Sequence, residues 1–381
     1  MPIYFDNAAT SHPKPPAVTE AAARAMTDFN ANPGRSGHPA ALEAARVVLD
    51  TREKLAALLG APDAMRVIHC FNCTDALNLA IKGSLRAGDH VIASQLEHNS
   101  VLRPLAALAA RNRIALTLVP PRPDGFIDPG DIRAALTPRT ALIACTHASN
   151  VTGAVQPVAA IGQIARGASV NYLIDGAQAL GAMPVDVAAL GCDLYAFPGH
   201  KSLLGPQGTG GLWIGPGVDL NPLREGGTGS SSDRLTQPEE LPERYESGTV
   251  NLPGIAGLGA GCAYVAGRLS QIMTHERELS QALWEGLAAM PEVVLYSPRK
   301  EAERAGIVSF NAGDLSSSQM ADALAQRGIA VRGGLHCAPG AHRFLGTLRR
   351  GAVRASVGHA NTFPEADAFL AAVAEILKNG A

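Results

Sequence analysis

The chain has 381 residues, 46% apolar and 17% charged, the balance of a globular protein able to bury a large core rather than of a disordered one. Its 32 Lys and Arg stand against 34 Asp and Glu, a net charge of −2, so no global field draws in nucleic acid or an anionic membrane. The opening MPIYFDNAAT lacks the basic start and apolar stretch of a secretory signal, and no apolar run approaches the ~18 residues of a membrane span, which favours a cytoplasmic location.

Length suggests two domains. From about residue 66 to 214, short β-rich apolar runs alternate with amphipathic stretches. Strands are predicted over 66–71, 90–94, 115–119, 141–145, 171–174, 194–197 and 210–214, and helices over 75–85, 100–110, 129–136 and 158–166. That alternation implies βαβ units and a mostly parallel sheet covered on both faces, and the all-apolar run Ala141-Leu-Ile-Ala-Cys145 suits two-sided burial. Between 223 and about 252 the periodicity stops; a loop this long is expected to serve a site or an interface. One alanine-rich helix is predicted from about 253 to 274 and beyond. It leads into a second α/β region with strands over 306–311, 329–332 and 352–356 and helices over 316–327 and 364–378. There is no internal repeat, and alanine tracts such as 106–110 reflect helix propensity.

The six cysteines, Cys70, Cys73, Cys145, Cys192, Cys262 and Cys337, mostly lie in apolar runs, as buried reduced thiols do. Cys70 and Cys73 have the spacing of a redox or zinc pair, but no second Cys or His pair stands at zinc-finger spacing, so no metal site is expected.

Open α/β sheets bind ligands at the carboxyl ends of their strands, and five polar clusters fall there. Asn72-Cys73-Thr74-Asp75 precedes a helix whose first N–H groups, with the Thr74 hydroxyl, would cradle a phosphate; the plainer role for Thr74 is a helix N-cap. His98 in Gln95-Leu-Glu-His-Asn99 is placed for ring stacking and proton transfer. Asn150 in His147-Ala-Ser-Asn-Val-Thr-Gly153 could bond a cofactor's phenolic oxygen. A hydrophobic strand ends in Asp175, within Asp175-Gly-Ala-Gln178, and the next strand ends in Pro198-Gly-His200-Lys201. A strand-end Asp and a turn presenting His-Lys are what a pyridoxal 5′-phosphate (PLP) enzyme needs: the lysine forms the Schiff base, and the carboxylate keeps the pyridine nitrogen protonated so that the ring accepts electrons. Cys337, in the glycine-flanked loop Arg332-Gly-Gly-Leu-His336-Cys337-Ala338, then suggests sulfur chemistry, with His336 or His98 available to activate the thiol.

Over nearly its whole length the chain resembles the class V aminotransferase-like cysteine desulfurases and selenocysteine lyases of PLP-dependent fold type I. The resemblance is carried by Phe5-Asp-Asn-Ala-Ala-Thr10, Asn32-Pro-Gly-Arg-Ser-Gly-His38, Glu97-His98, Ser149-Asn150-Val-Thr-Gly153, Asp175-Gly-Ala-Gln178, Gly199-His200-Lys201, Glu246-Ser-Gly-Thr249, His336-Cys337-Ala338 and Arg354-Ala-Ser356, in this order. It implies a large domain, 15–252, holding a mostly parallel seven-stranded sheet and the cofactor. A smaller α/β domain of 1–14 and 253–381 would carry the cysteine loop. It also implies Lys201 as the Schiff-base lysine, Asp175 at the pyridine nitrogen, Gln178 and Asn150 at the phenolic oxygen, and His98 stacked on the ring. The phosphate would be held by Asn72, Cys73, Thr74 and His200, joined by Thr249 from the other subunit of a homodimer. Arg354, with Asn150, would take the substrate carboxylate, for which a guanidinium fork is suited; a surface ion pair is the plainer role for Arg354.

The implied reaction converts L-cysteine to L-alanine, leaving a persulfide on Cys337 that passes to an acceptor protein, as in the subgroup with a short cysteine loop. L-Selenocysteine, or another lyase or transaminase reaction, is the alternative, and a non-catalytic scaffold in a sulfur-transfer assembly is a third reading that the joint presence of Lys201, Asp175, Arg354 and Cys337 argues against. The chain departs from the subgroup at Leu335, where a second histidine is common, at Pro198, where serine often helps bind phosphate, and at Asn72-Cys73, where Gly-Thr is frequent. Arg35 and His38 match a segment near the site entrance and carry no assigned role.

Overall fold

Apolar runs without polar alternation are stable in the middle of a sheet with helices on both faces, and the seven such runs form that sheet. The computed structural model describes residues 3–34, 36–230 and 232–379; Arg35 lies outside them. In chain order, β1 (Ile3–Tyr4), α1 (Pro16–Thr27) and α2 (Pro39–Leu59) come first. There follow β2 (Val67–Cys70), α3 (Cys73–Ser84), β3 (Asp89–Ser94), α4 (Asn99–Ala110), β4 (Ile114–Val119) and α5 (Pro129–Ala134). Next come β5 (Thr140–Thr146), α6 (Val158–Ala168), β6 (Asn171–Asp175), α7 (Val187–Leu190), β7 (Leu194–Pro198) and β8 (Gly210–Ile214).

The sheet order is β2-β8-β7-β6-β5-β3-β4. Strands β3 to β7 run parallel, and β8 runs antiparallel to both of its neighbours. Successive residues point to opposite faces: Ile143, Cys145, Tyr172 and Ile174 join one core, and Leu142, Ala144 and Leu173 the other. The register levels the strand ends, because Thr146 pairs with Asp175 and Asp175 with Ala196. β5 and β6 therefore end level, and β7 runs two residues further along the same edge, to Pro198.

No helix or strand occurs among the described residues between β8 and α8 (Leu252–Ala266), where the long loop was expected. The single long helix expected after it is in fact two, α8 and α9 (Leu269–Ala288), broken at Gly267 and at Arg268, whose φ of −137° leaves the helical range. Helices α1 and α2 pack on α8. They lie ahead of the first strand that the sequence pattern identifies.

The second region contains β9 (Val293–Leu295), β10 (Ile307–Ala312), α10 (Ser317–Gln326), β11 (Ile329–Ala330), β12 (Arg332–Gly334), α11 (Pro339–Phe344), β13 (Ala352–Ser356) and α12 (Phe363–Asn379). The run predicted over 329–332 divides, since β11 pairs with β1 while β12 joins the antiparallel sheet β12-β13-β10-β9. Phe5, Leu279, Phe310 and Phe369 are among the buried side chains of its separate core. The segment after β1 straps the two cores together: Asn7 N–H donates to Ser356 O at 3.3 Å, and Ser11 N–H donates to His200 O at 3.1 Å. No helix among the described residues is long and apolar enough to cross a membrane.

Candidate active site

A cavity of about 370 Å³ opens where the ends of β2, β3, β5, β6 and β7 face the loop between β12 and α11. Thr74, His98, Asn150, Asp175, Gln178, His200, Lys201, Cys337 and Arg354 all line it, as do Asn72 and Cys73. Thr249 does not; within one chain it lines a smaller cleft with His69 and Glu246.

Asp175 ends β6 almost fully buried, its Oδ1 accepting from Ala177 N–H at 3.0 Å and lying 3.6 Å from the Cys73 thiol. The turn beyond it needs glycine: a Cβ on Gly176 would lie 2.1 Å from a Tyr195 ring carbon. Lys201 follows the end of the neighbouring β7. Burial pushes its ammonium pKa down, and the Asp175 carboxylate opposes that push. The outcome is an amine more easily freed of its proton than an exposed lysine, which suits a nucleophile.

At the other end, Asn72 caps α3 by accepting Asp75 N–H at 2.9 Å, so Thr74 is not the N-cap. The Thr74 hydroxyl instead lies 2.8 Å from Ser100 Oγ. The first two helical N–H groups, of Cys73 and Thr74, have no acceptor among the described residues. His200 Nδ1 is buried without a partner, and burial, with Lys201 and Lys14 nearby, pushes its pKa down to about 4. Free helical N–H groups, a hydroxyl and an unpartnered imidazole are a donor set for a phosphate, with the helix dipole adding to it. With Lys201 and Asp175 on the same cavity, these residues fit PLP.

His98 caps α4: its Nδ1 accepts from Ser100 N–H at 3.1 Å, so in the neutral ring the proton resides on Nε2. Burial lowers the pKa and keeps that ring neutral, against the charge of Asp175. Beside it, Glu97 accepts from Ser94 Oγ and, at 2.7 Å, from Thr146 N–H, tying the end of β3 to that of β5. Burial pushes the Glu97 carboxyl up to about 8. Gln178 Nε2 donates to Ala8 O at 3.0 Å, and His38 caps α2 by accepting Ala41 N–H at 3.3 Å.

Arg354 on β13 is 2% exposed, so it is a buried ion pair rather than a surface one. Its Nη2 donates to Asp6 Oδ1 at 3.0 Å and its Nη1 to Asn150 O at 2.8 Å, while Nε has no partner. Arg332, its register partner on β12, donates through Nε to Asp6 Oδ2 at 3.1 Å. One carboxylate thus holds two guanidiniums at the cavity wall. Asp6 lies in the Phe5–Thr10 motif quoted above but had no role assigned there; the pairing of β1 with β11 and the bridge of Asp6 to Ser356 of β13 bring it here.

Cys337 is exposed, in a loop whose residues His336 and Cys337 have φ of 48° and 57°. Two consecutive left-handed residues other than glycine cost roughly 1–2 kcal/mol each and persist only where neighbours enforce them. Asn150 Nδ2 donates to His336 O at 2.6 Å, and Asn99 N–H donates to Cys337 O at 2.7 Å. Gly340 lets α11 approach, for a Cβ there would lie 2.0 Å from Gln95 O. The expectation that His336 could activate the thiol is corrected: both its ring nitrogens are engaged, by Arg332 O at 3.2 Å and His342 Nε2 at 3.3 Å. Among the described residues there is no group of three or more His, Cys, Asp or Glu able to hold a metal ion.

The family profile described as Aminotransferase class-V matches residues 3–369. A probable cysteine desulfurase of Methanothermobacter thermautotrophicus is 35% identical, the alignment covering 95% of this chain and 92% of that one. A cysteine desulfurase of Klebsiella pneumoniae is also 35% identical, over 99% and 93% of the two chains. Among solved structures, the apo cysteine desulfurase of Thermococcus onnurineus superimposes with a TM-score of 0.92 at 34% identity, over 99% of this chain and 95% of that one. A cysteine desulfurase from Escherichia coli gives 0.89 at 30%, with the same coverage. Sequence, fold and site geometry converge: the chain belongs to the class V aminotransferase family, whose cysteine desulfurases depend on PLP.

Proposed function

We propose that this chain is a PLP-dependent cysteine desulfurase that takes sulfur from L-cysteine onto Cys337, yields L-alanine and passes the sulfur to an acceptor protein. The observation that carries the reading is one cavity shared by the Lys201–Asp175 pair, the buried Arg354 and the exposed Cys337. The phosphate would lie against the Cys73 and Thr74 N–H groups, the Thr74 hydroxyl and His200, with Asp175 at the pyridine nitrogen. Asn150 and Gln178 would face the phenolic oxygen. PLP bound there supplies an electron sink for the substrate Cα–H bond.

The protein's own groups do the rest. Arg354 takes the substrate carboxylate, and Asn150, whose carbonyl accepts from Arg354, keeps the guanidinium in place. The Lys201 amine, its pKa lowered by burial, takes the Cα proton. The thiolate of Cys337 attacks the substrate sulfur; an S–S bond forms as the C–S bond breaks, and the carbon collects a proton to become the methyl group of alanine. His98, neutral with its proton on Nε2, is the nearby proton carrier.

We place the cofactor in a domain of residues 15–252 and the thiol in one of 1–14 and 253–381. A homodimer, in which Thr249 completes the phosphate site of the other copy, and a cytoplasmic location accord with the same reading. The test is incubation of the holoenzyme with L-cysteine, following alanine and the mass of the peptide containing Cys337. A gain of one sulfur atom on that peptide is expected; alanine without the gain refutes the role of Cys337.

A further inference from the structure

Beneath the Cys337 loop lies a chain of buried side chains that the reaction as described does not use. His336 Nε2 is 3.2 Å from Arg332 O, His336 Nδ1 is 3.3 Å from His342 Nε2, and His342 Nδ1 is 2.8 Å from Thr347 Oγ1. His336, His342 and Thr347 are 8%, 0% and 4% exposed. The two rings lie 5.4 Å apart and tilted by 31°.

The positions of the hydrogens follow from one end. A backbone carbonyl only accepts, so His336 Nε2 carries a proton. Burial, with Arg354 and Arg332 facing the ring, pushes His336 down to about 3, and burial pushes His342 down to about 4. Both rings are therefore neutral near pH 7, with one N–H each. His336 Nδ1 must then accept, so His342 Nε2 donates; His342 Nδ1 must accept, so the Thr347 hydroxyl donates. All three bonds point the same way, from Thr347 through His342 and His336 to the carbonyl at the base of the loop.

We infer that Thr347 and His342 are positioning residues for sulfur transfer: through this ordered chain they lock the His336 ring, and with it the left-handed His336-Cys337 backbone that presents the thiol to the cavity. The inference rests on Cys337 being the sulfur acceptor. The Asn150 side-chain amide and the Asn99 backbone N–H fix the loop's carbonyls on the cavity side. The histidine chain fixes its opposite side, where a residue without a ring would leave the loop free to relax into the ordinary right-handed region.

The test uses the holoenzyme and three variants. Thr347→Val keeps the shape and removes the donor; His342→Leu removes the link; His342→Gln keeps an N–H donor toward His336. In Thr347→Val and His342→Leu, single-turnover formation of the Cys337 persulfide is expected to slow about five- to tenfold, as losing one buried hydrogen bond implies. The affinity for L-cysteine, read from the cofactor absorbance, stays within about twofold, and His342→Gln recovers most of the rate. Hydrogen exchange in the peptide spanning 335–341 speeds up in the first two variants. In the wild type, 15N NMR finds both histidines with the proton on Nε2. Persulfide formation at the wild-type rate in Thr347→Val and His342→Leu overturns the proposal, as does a His342 proton on Nδ1. If instead Cys337→Ser passes sulfur at the wild-type rate, the desulfurase assignment of Cys337 fails, and the exchange and NMR readouts still report on the brace itself.

Discussion

Replacing Asp6 by asparagine tests whether the shared carboxylate organises the substrate end of the cavity. The Asp6 side chain is 13% exposed and Arg354's 3%, whereas Arg332's is 51%. Breaking a buried pair by removing one partner costs about 3–5 kcal/mol, and the half-exposed pair contributes under about 1 kcal/mol. Asparagine retains a carbonyl that can accept from Arg354, so the loss in Asp6→Asn is expected at the lower end, about 3 kcal/mol. The assay is urea unfolding of the holoenzyme for Asp6→Asn, Arg354→Gln and the double variant. If the pair acts as a unit, the double variant loses about 2 kcal/mol less than the two single losses added together. Losses that add to within about 0.5 kcal/mol refute the coupling. The desulfurase KM for L-cysteine should rise in Asp6→Asn and fall back toward wild type in Asp6→Glu.

Glu276 of α9 is buried, its carboxyl with no hydrogen bond or ion pair among the described residues, and burial pushes that carboxyl up to about 8. Its folded-state pKa lies above the unfolded one, so the folded protein holds a proton that the unfolded chain releases, and stability falls as pH rises from about 4.5 toward 8. Glu276→Gln should therefore be more stable than wild type by roughly 2–3 kcal/mol at pH 7 and nearly equal to it at pH 4.5; parallel stability profiles of the two proteins would contradict this. Cys337→Ser should keep the cofactor absorbance and lose sulfur transfer, as measured by sulfide or acceptor labelling. Borohydride reduction followed by peptide mapping should place a pyridoxyl group on Lys201, and none should be fixed in Lys201→Ala. Gly340→Ala should cut persulfide formation at least tenfold, because its Cβ would press on Gln95 O and lift α11 with the thiol loop; an unchanged rate would show that α11 does not set the thiol's position.

The central sheet was legible because two-sided burial writes itself as uninterrupted apolar runs, such as the one ending at Cys145. The side chains at the strand ends were legible for a related reason: polar residues that interrupt such runs have few other places to go. What stayed hidden depends on contacts far apart in sequence. Asp6 reaches Arg354 through a two-residue strand paired with β11 and a single bridge to Ser356, runs too short for any periodicity. The His342–His336 bond arises from the packing of α11, a six-residue helix with no repeat of its own. The break between α8 and α9 falls at Gly267-Arg268, where only Arg268 leaves the helical range and the alanine-rich helical pattern masks it.

The strap between β1 and α1 ties the core of the β12-β13-β10-β9 sheet to the lysine end of the central sheet, through Asn7 on one side and Ser11 on the other. Opening a contact between two cores takes less free energy than unfolding either core. Gentle warming or low urea should thus silence turnover while the far-ultraviolet spectrum still looks whole, and the enzyme's working range will be narrower than its melting curve suggests.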